Sequence, residues 1–172
     1  MRIFLFLIFF CILPYHSQAI NIATFQYSQI LKNSVQYIEF QNKLNIFKEK
    51  IFIELRKEEE KLLKKKNEIE DSKVILTKSE YEKKILEFNI EKNSFESEVD
   101  KYNNYIQSNL EFNENIILNE IFQIVEKIVI ENKIDLVLNE NQYYLSSDDI
   151  NISNIITQKL NNTKLELTLK DF

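Results

Sequence analysis

The sequence predicts an α+β fold that is mostly α: a long antiparallel helical hairpin, a coiled-coil arm, standing on a small β body shared between subunits. Three observations predict it. Two long charged segments carry apolar residues at helical spacing and contain no glycine or proline. A short break with a helix-start signature separates them. Only three short stretches read as strands, and a sheet that small is marginal and leaves open edges.

The elements follow in order. Met1-Arg2, the apolar run Ile3 to Leu13 and the small residues Ser17 and Ala19 form an export signal, with cleavage expected after Ala19. An uncleaved N-terminal anchor is the alternative. Ile20 to Phe25 alternates and reads as a strand. Ser28 to Ser34 reads as a polar connector or first turn, with Ser34 a candidate N-cap. From Val35 to about Asp71, Leu44, Phe47, Ile51, Leu55, Leu62 and Ile69 define one helical stripe, interrupted by Glu58 and Lys65. Asn67, Asp71 or Ser72 must end this helix, since no glycine is available. Thr77 and Glu80 have capping-box spacing. Beyond them Tyr81, Ile85, Phe88, Lys92, Phe95, Val99, Tyr102 and Ile106 alternate by four and three, a coiled-coil seam. Apolar density rises from Ile116 to Val129 and covers more than one face, so the helix enters a core. Asp135 to Asn139 reads as a buried strand and Tyr143 to Leu145 as its hairpin partner. Ser153 is a candidate cap for a closing helix with Ile155, Ile156 and Leu160. Asn161 to Phe172 reads as a frayed tail, although Leu165, Leu167 and Leu169 alternate.

This order divides the chain into a signal (1–19), a β/α oligomerisation body (20–35 and 115–172) and an arm (36–114) with its tip near 72–79. Pairing of open sheet edges between copies predicts a homo-oligomer.

Composition restricts the chemistry. Among 172 residues there is no Gly or Trp, and single Pro, Cys, His and Met residues, all within the first 16. Without the signal 1–19, which contains them, 153 residues remain with charge −6, from 21 basic and 27 acidic groups. They offer no imidazole base, no thiolate, no disulfide and no glycine loop for phosphate. Zinc and copper sites are excluded with them. No enzyme, cofactor or metal is expected. The full chain carries −5, which argues against nucleic acid as partner.

Several features carry two readings. Val74-Ile75-Leu76 at the tip is read as a plug folded between the helices rather than a contact surface. Lys64-Lys65-Lys66 is read as a solvated face offset by Glu58-Glu59-Glu60 rather than an anion site. Asp148-Asp149 is read as turn-forming rather than cation-binding. Phe88, Phe95 and Tyr102 sit on the seam and belong to its core. Phe40, Phe52, Ile53, Ile90 and Phe112 fall off the main stripes and are the candidate exposed contacts. Ile22, Phe25, Ile124, Ile128, Leu136 and Leu138 are the candidate oligomer core.

The segment Asn132 to Asn139, the aromatic Tyr143-Tyr144-Leu145 and the closing segment Asn151 to Asn161 together resemble the Skp/OmpH family of periplasmic chaperones. Ile20 to Phe25, followed by Tyr27-Ser28-Gln29-Ile30, resembles that family's opening. Asn151 and Ser153 replace an Asp and a Thr, and the glycine usual before the strand is missing. The resemblance implies a homotrimer shaped like a three-armed grasper. It further implies an ATP-independent holdase in the periplasm, enclosing unfolded outer-membrane β-barrel proteins before insertion. Membrane-surface contact stays open, because this chain is acidic where well-known members are basic. An envelope coiled-coil scaffold without client-holding activity is the alternative.

Overall fold

The computed structural model describes residues 19–170, so the export signal lies outside the described residues except for its last position. The elements run β1 (Ile22–Phe25), α1 (Tyr27–Asn33), α2 (Val35–Ser72), α3 (Lys78–Asn132), β2 (Leu136–Asn139), a short 3-10 turn at Asp148–Ile150 and α4 (Ser153–Asn162). At 1.5 Å per residue, α2 is about 57 Å long and α3 about 82 Å. They form the antiparallel arm. The extra length of α3 carries it down into the body.

The body is built around Ile30, Phe40, Leu44, Ile117, Ile121, Ile128, Ile156 and Leu160, all fully buried. On α3, Ile117, Ile121, Ile124, Val125 and Ile128 recur at helical spacing and supply one wall. Phe40 and Leu44 supply the foot of α2, and Ile156 and Leu160 the face of α4. The stretch Ser28 to Ser34, read as a polar connector or first turn, lies largely in a two-turn helix, because Ile30 has this core to enter. The α1 start is held by Glu140, whose carboxylate accepts from the Ser28 backbone N–H (2.9 Å) and hydroxyl (2.6 Å).

Ser34 caps α2 as expected, accepting from the Tyr37 N–H at 3.3 Å. The Val35 N–H, orphaned at the same terminus, donates to Asn161 Oδ1 at 2.9 Å, while Asn161 Nδ2 donates to the Asn33 carbonyl. One side chain of α4 thereby fixes the α1–α2 corner. At the distal end the Ser72 hydroxyl donates to the Ile69 carbonyl, and Thr77 and Glu80 form the full capping box that starts α3. Hydrogen bonds from Thr77 hold the Glu80 carboxyl below its usual pKa. The α3 terminus needs a left-handed residue and has only Lys133, at φ 52°. Asn21 Nδ2 compensates by donating to the Asn132 and Lys133 carbonyls.

The sheet corrects the sequence reading. β1 and β2 pair in parallel, with Ile22 opposite Leu136 and Phe25 opposite Asn139. Parallel neighbours need a crossover connection, and here the whole helical arm is that crossover. Tyr143 to Leu145 form no strand, and Tyr144 and Leu145 are exposed. The reason is topological. Thr24 of β1 bridges Asn151 and accepts from the Ile152 N–H at 2.8 Å. The chain between β2 and Asn151 must therefore reach a second partner of β1 instead of turning back along β2. Ser153 also departs from expectation. Its hydroxyl accepts from the Gln26 N–H at 2.8 Å, and Asn151 Oδ1 receives the Ser153 N–H instead.

The two helices of the arm are also tied at their feet by Tyr37, whose hydroxyl donates to Glu114 Oε1 at 2.9 Å. Burial and then the Glu114 carboxylate push the Tyr37 pKa up to about 12. Stability from keeping this phenol protonated is complete below the unfolded tyrosine pKa of about 10 and is lost as pH rises toward 12. Urea unfolding at pH 7 and pH 11 should show a smaller alkaline loss in Tyr37→Phe than in the parent. An identical loss in both would contradict the assignment.

Candidate functional site

The arm is a thin structure. Ile51 and Ile69 are buried on α2, whereas among the described residues of α3 before Asn109 none is buried. Tyr81, Ile85, Phe88, Phe95, Val99, Tyr102 and Ile106 are half-buried, which is what a two-helix seam allows. Phe47 packs on Tyr105 with ring centroids 4.9 Å apart. Midway along, Lys65 occupies a stripe position and crosses to Glu91 on α3 as an ion pair. Lys92, the exposed break in the seam, pairs along its own helix with Glu96 at 2.9 Å. Lys61, Lys64 and Lys66 pair with Glu58, Glu68 and Glu70, so the lysine run is a solvated, neutralised face. Such exposed pairs contribute little to stability.

Apolar side chains are left on this solvated surface. Phe52, Ile53 and Ile90 are 63%, 54% and 60% exposed, and Leu63 and Leu86 are exposed beside them in sequence order along the arm. Phe52 borders a groove of about 360 Å³ whose apolar lining includes Ile51, Leu55, Tyr102 and Ile106. Phe112 is exposed near the foot, with Lys170 Nζ 3.8 Å above its ring. Phe40 is corrected: it is 1% exposed and belongs to the body core, because the α2 foot is enclosed on the side where the free arm meets water. The tip is corrected as well. Val74 and Ile75 are 92% and 86% exposed, so they do not plug the hairpin; only Leu76 is half-buried. The turn after Ser72 is closed by backbone bonds from Ile75 and Leu76 to the Ser72 carbonyl, which hold the two side chains outward.

The body presents a second surface. Leu136 on β2 is exposed, as are Phe122, Ile130, Tyr144 and Leu145. Ile22 and Leu138 are half-buried. Phe25, Ile124 and Ile128 are buried within the single chain, so they cannot meet another copy directly. Asp148 and Asp149 lie in the 3-10 turn, where the Ser147 hydroxyl accepts from the Asp149 N–H. No group of three or more potential metal ligands occurs among the described residues. No helix among them is long and apolar enough to cross a membrane.

The tail was read as frayed, and for its described residues, to Lys170, that is overturned. Asn109 and Asn113, one turn apart on α3, are 1% and 0% exposed. Asn113 Oδ1 accepts from the Thr168 N–H at 3.0 Å, and its Nδ2 donates to the Thr168 carbonyl at 3.0 Å. Asn109 Oδ1 accepts from the Lys170 N–H at 2.7 Å. The Tyr105 hydroxyl donates to the Lys170 carbonyl. The one sequence signal was the pair of asparagines four residues apart on an otherwise apolar face, whose amides need partners once buried.

The family described as outer membrane protein (OmpH-like) matches residues 21–160. The chain belongs to the OmpH-like family. A solved OmpH-like protein of Caulobacter crescentus CB15, described as a candidate outer membrane chaperone, has a similar fold. The TM-score is 0.69 over 84% of this chain and 85% of that one, at 11% identity. No curated protein matches the sequence. The resemblance seen in the closing segment thus agrees with both the family match and the OmpH-like helix pair on a small sheet.

Proposed function

We propose that this OmpH-like protein is an ATP-independent holdase that works in the periplasm, after cleavage of its signal near Ala19. Its clients are unfolded outer-membrane β-barrel proteins awaiting insertion. The observation that carries this reading is the set of exposed apolar side chains, Phe52, Ile53, Leu63, Leu86 and Ile90, spaced along a charged arm. A client that must remain unfolded is better served by many weak apolar contacts than by one tight pocket. The charge between those contacts keeps the arm soluble. A thin seam lets it flex around clients of different size. No cofactor or catalytic step is needed: holding the unfolded state away from other chains suffices. The match to OmpH-like proteins, and the outer-membrane chaperone role suggested for the Caulobacter protein, support the same reading.

The active form in this proposal is a homotrimer. Among the described residues β2 pairs only with β1, and a two-stranded sheet is marginal by itself. Exposed Leu136, Phe122, Tyr144 and Leu145 supply apolar surface for neighbouring copies. Ile22 and Leu138 add to it, and buried Phe25, Ile124 and Ile128 support it from behind.

Two measurements test the proposal. Diluting a urea-unfolded β-barrel protein into the mature chain should suppress light scattering relative to buffer. Burying one large apolar side chain supplies roughly 1.5–3 kcal/mol. Combined Phe52→Ser, Ile53→Ser and Ile90→Ser changes should therefore weaken client holding by about tenfold or more, with helicity unchanged. Aggregation that proceeds as in buffer rules out the holdase. Separately, light scattering of the mature chain at micromolar concentration should give a trimer mass, reduced by Leu136→Lys with Tyr144→Lys. A stable, well-folded monomer contradicts the shared body.

A further inference from the structure

The tail lies against the arm foot in a way that reads backbone rather than side chains. From Lys164 to Lys170 exposure alternates strictly: Leu165, Leu167 and Leu169 turn inward, while Lys164, Glu166, Thr168 and Lys170 are exposed. Leu167 joins the body core. The two asparagines grip the exposed positions through main-chain atoms only. The spacing explains the fit. Four residues of helix rise about 6 Å, and two residues of extended chain span about 6.6 Å. Asparagines at i and i+4 on α3 therefore fall in register with every second residue of an extended segment. An occupant needs apolar residues at alternate positions and nothing else specific. The occupant is also needed, since each carboxamide oxygen accepts a hydrogen bond from the tail, and leaving a buried acceptor unpaired is costly. A cleft of about 250 Å³ remains beside the tail, lined by Gln36, Phe40, Lys43 and Leu165 among others.

We infer that the groove held by Asn109 and Asn113 is a binding site for extended segments of alternating hydrophobicity, and that residues 163–170 are its resident pseudo-client. Alternation of apolar and polar residues over about ten positions is the pattern of a membrane-spanning β-strand. The tail, Thr-Lys-Leu-Glu-Leu-Thr-Leu-Lys, has that pattern itself. A client strand entering the groove displaces the tail and takes over its main-chain bonds. This site deepens the holdase proposal and rests on it. It differs from the exposed arm contacts in accepting a strand in one register instead of any apolar surface.

The test uses the full mature chain and a fluorescein-labelled peptide of residues 163–172. A second peptide of the same composition, with its three leucines adjacent, is the control. In the parent protein the tethered tail competes at high effective concentration, so anisotropy should report weak binding of the alternating peptide. Thr168→Pro removes the N–H that Asn113 accepts, at an exposed position. It should tighten binding of the alternating peptide about tenfold and leave the control unbound. Lys170→Pro, acting at Asn109, should do the same and covers the case in which the first variant fails to fold. Adding Asn113→Ala should abolish the gain. Equal binding of both peptides, no gain in the folded proline variants, or indifference to Asn113→Ala overturns the groove. If that happens while barrel aggregation is still suppressed, only the groove falls. If suppression is absent too, the holdase reading falls with it.

Discussion

Everything in this molecule depends on the packing of Phe40 and Leu44 of α2 with Ile117 and Ile121 of α3 at the foot of the arm. Those side chains are fully buried, and they share one core cluster with Ile156 and Leu160 of α4 and Ile30 of α1. They fix the spacing and the rotation of two helices that have almost no other core. The hydrogen bonds of Ser34, Asn161 and Tyr37 then lock the emergence of α2. A dense core at one end and a sparse seam beyond it follow from one sequence fact. Apolar residues cluster on α3 after Leu110 and thin to about one per turn before it.

That imbalance is the functional design as we read it. Along the arm a lysine–glutamate pair, Lys65 with Glu91, stands where a packed core would place leucines. An ion pair with half-exposed partners holds register at little net gain. The arm can therefore bend without breaking a tight core, and in the proposed holdase its exposed Phe52, Ile53 and Ile90 would follow a client. The tip ends in Val74 and Ile75 set out in water, at the end farthest from the core, where local opening is easiest.

Much of the arm was legible in the sequence because its determinants are local. Ser34 and the Thr77–Glu80 box cap helices through contacts three residues away, and the four-and-three spacing from Tyr81 to Ile106 needs no tertiary knowledge. The sheet was less legible. Strands of four residues carry too little pattern to say whether a partner lies at sequence distance six or 114, and the competing claim of Asn151 on Thr24 appears nowhere in the pattern of 143–145. Phe40 was misread because its enclosure comes from residues distant in sequence, Ile117 and Ile121 of α3 and Leu167 of the tail. The tail failed for a related reason. Its partners are asparagine side chains, which a hydrophobic pattern scores as breaks. The tip failed because an apolar triplet reads as buried unless the turn that displays it is known.

The central claim is that stability is concentrated in the body and falls along the arm toward residues 73–77. Amide hydrogen exchange followed by mass spectrometry tests it most directly. Protection should be greatest for segments containing Ile117 to Ile128 and Ile156 to Leu160. It should decline stepwise from Leu44 through Leu55 and Leu62, and be lowest between Asn67 and Ile90. Protection of the distal arm equal to that of the body would contradict the account, because it would require a core that these two helices do not contain.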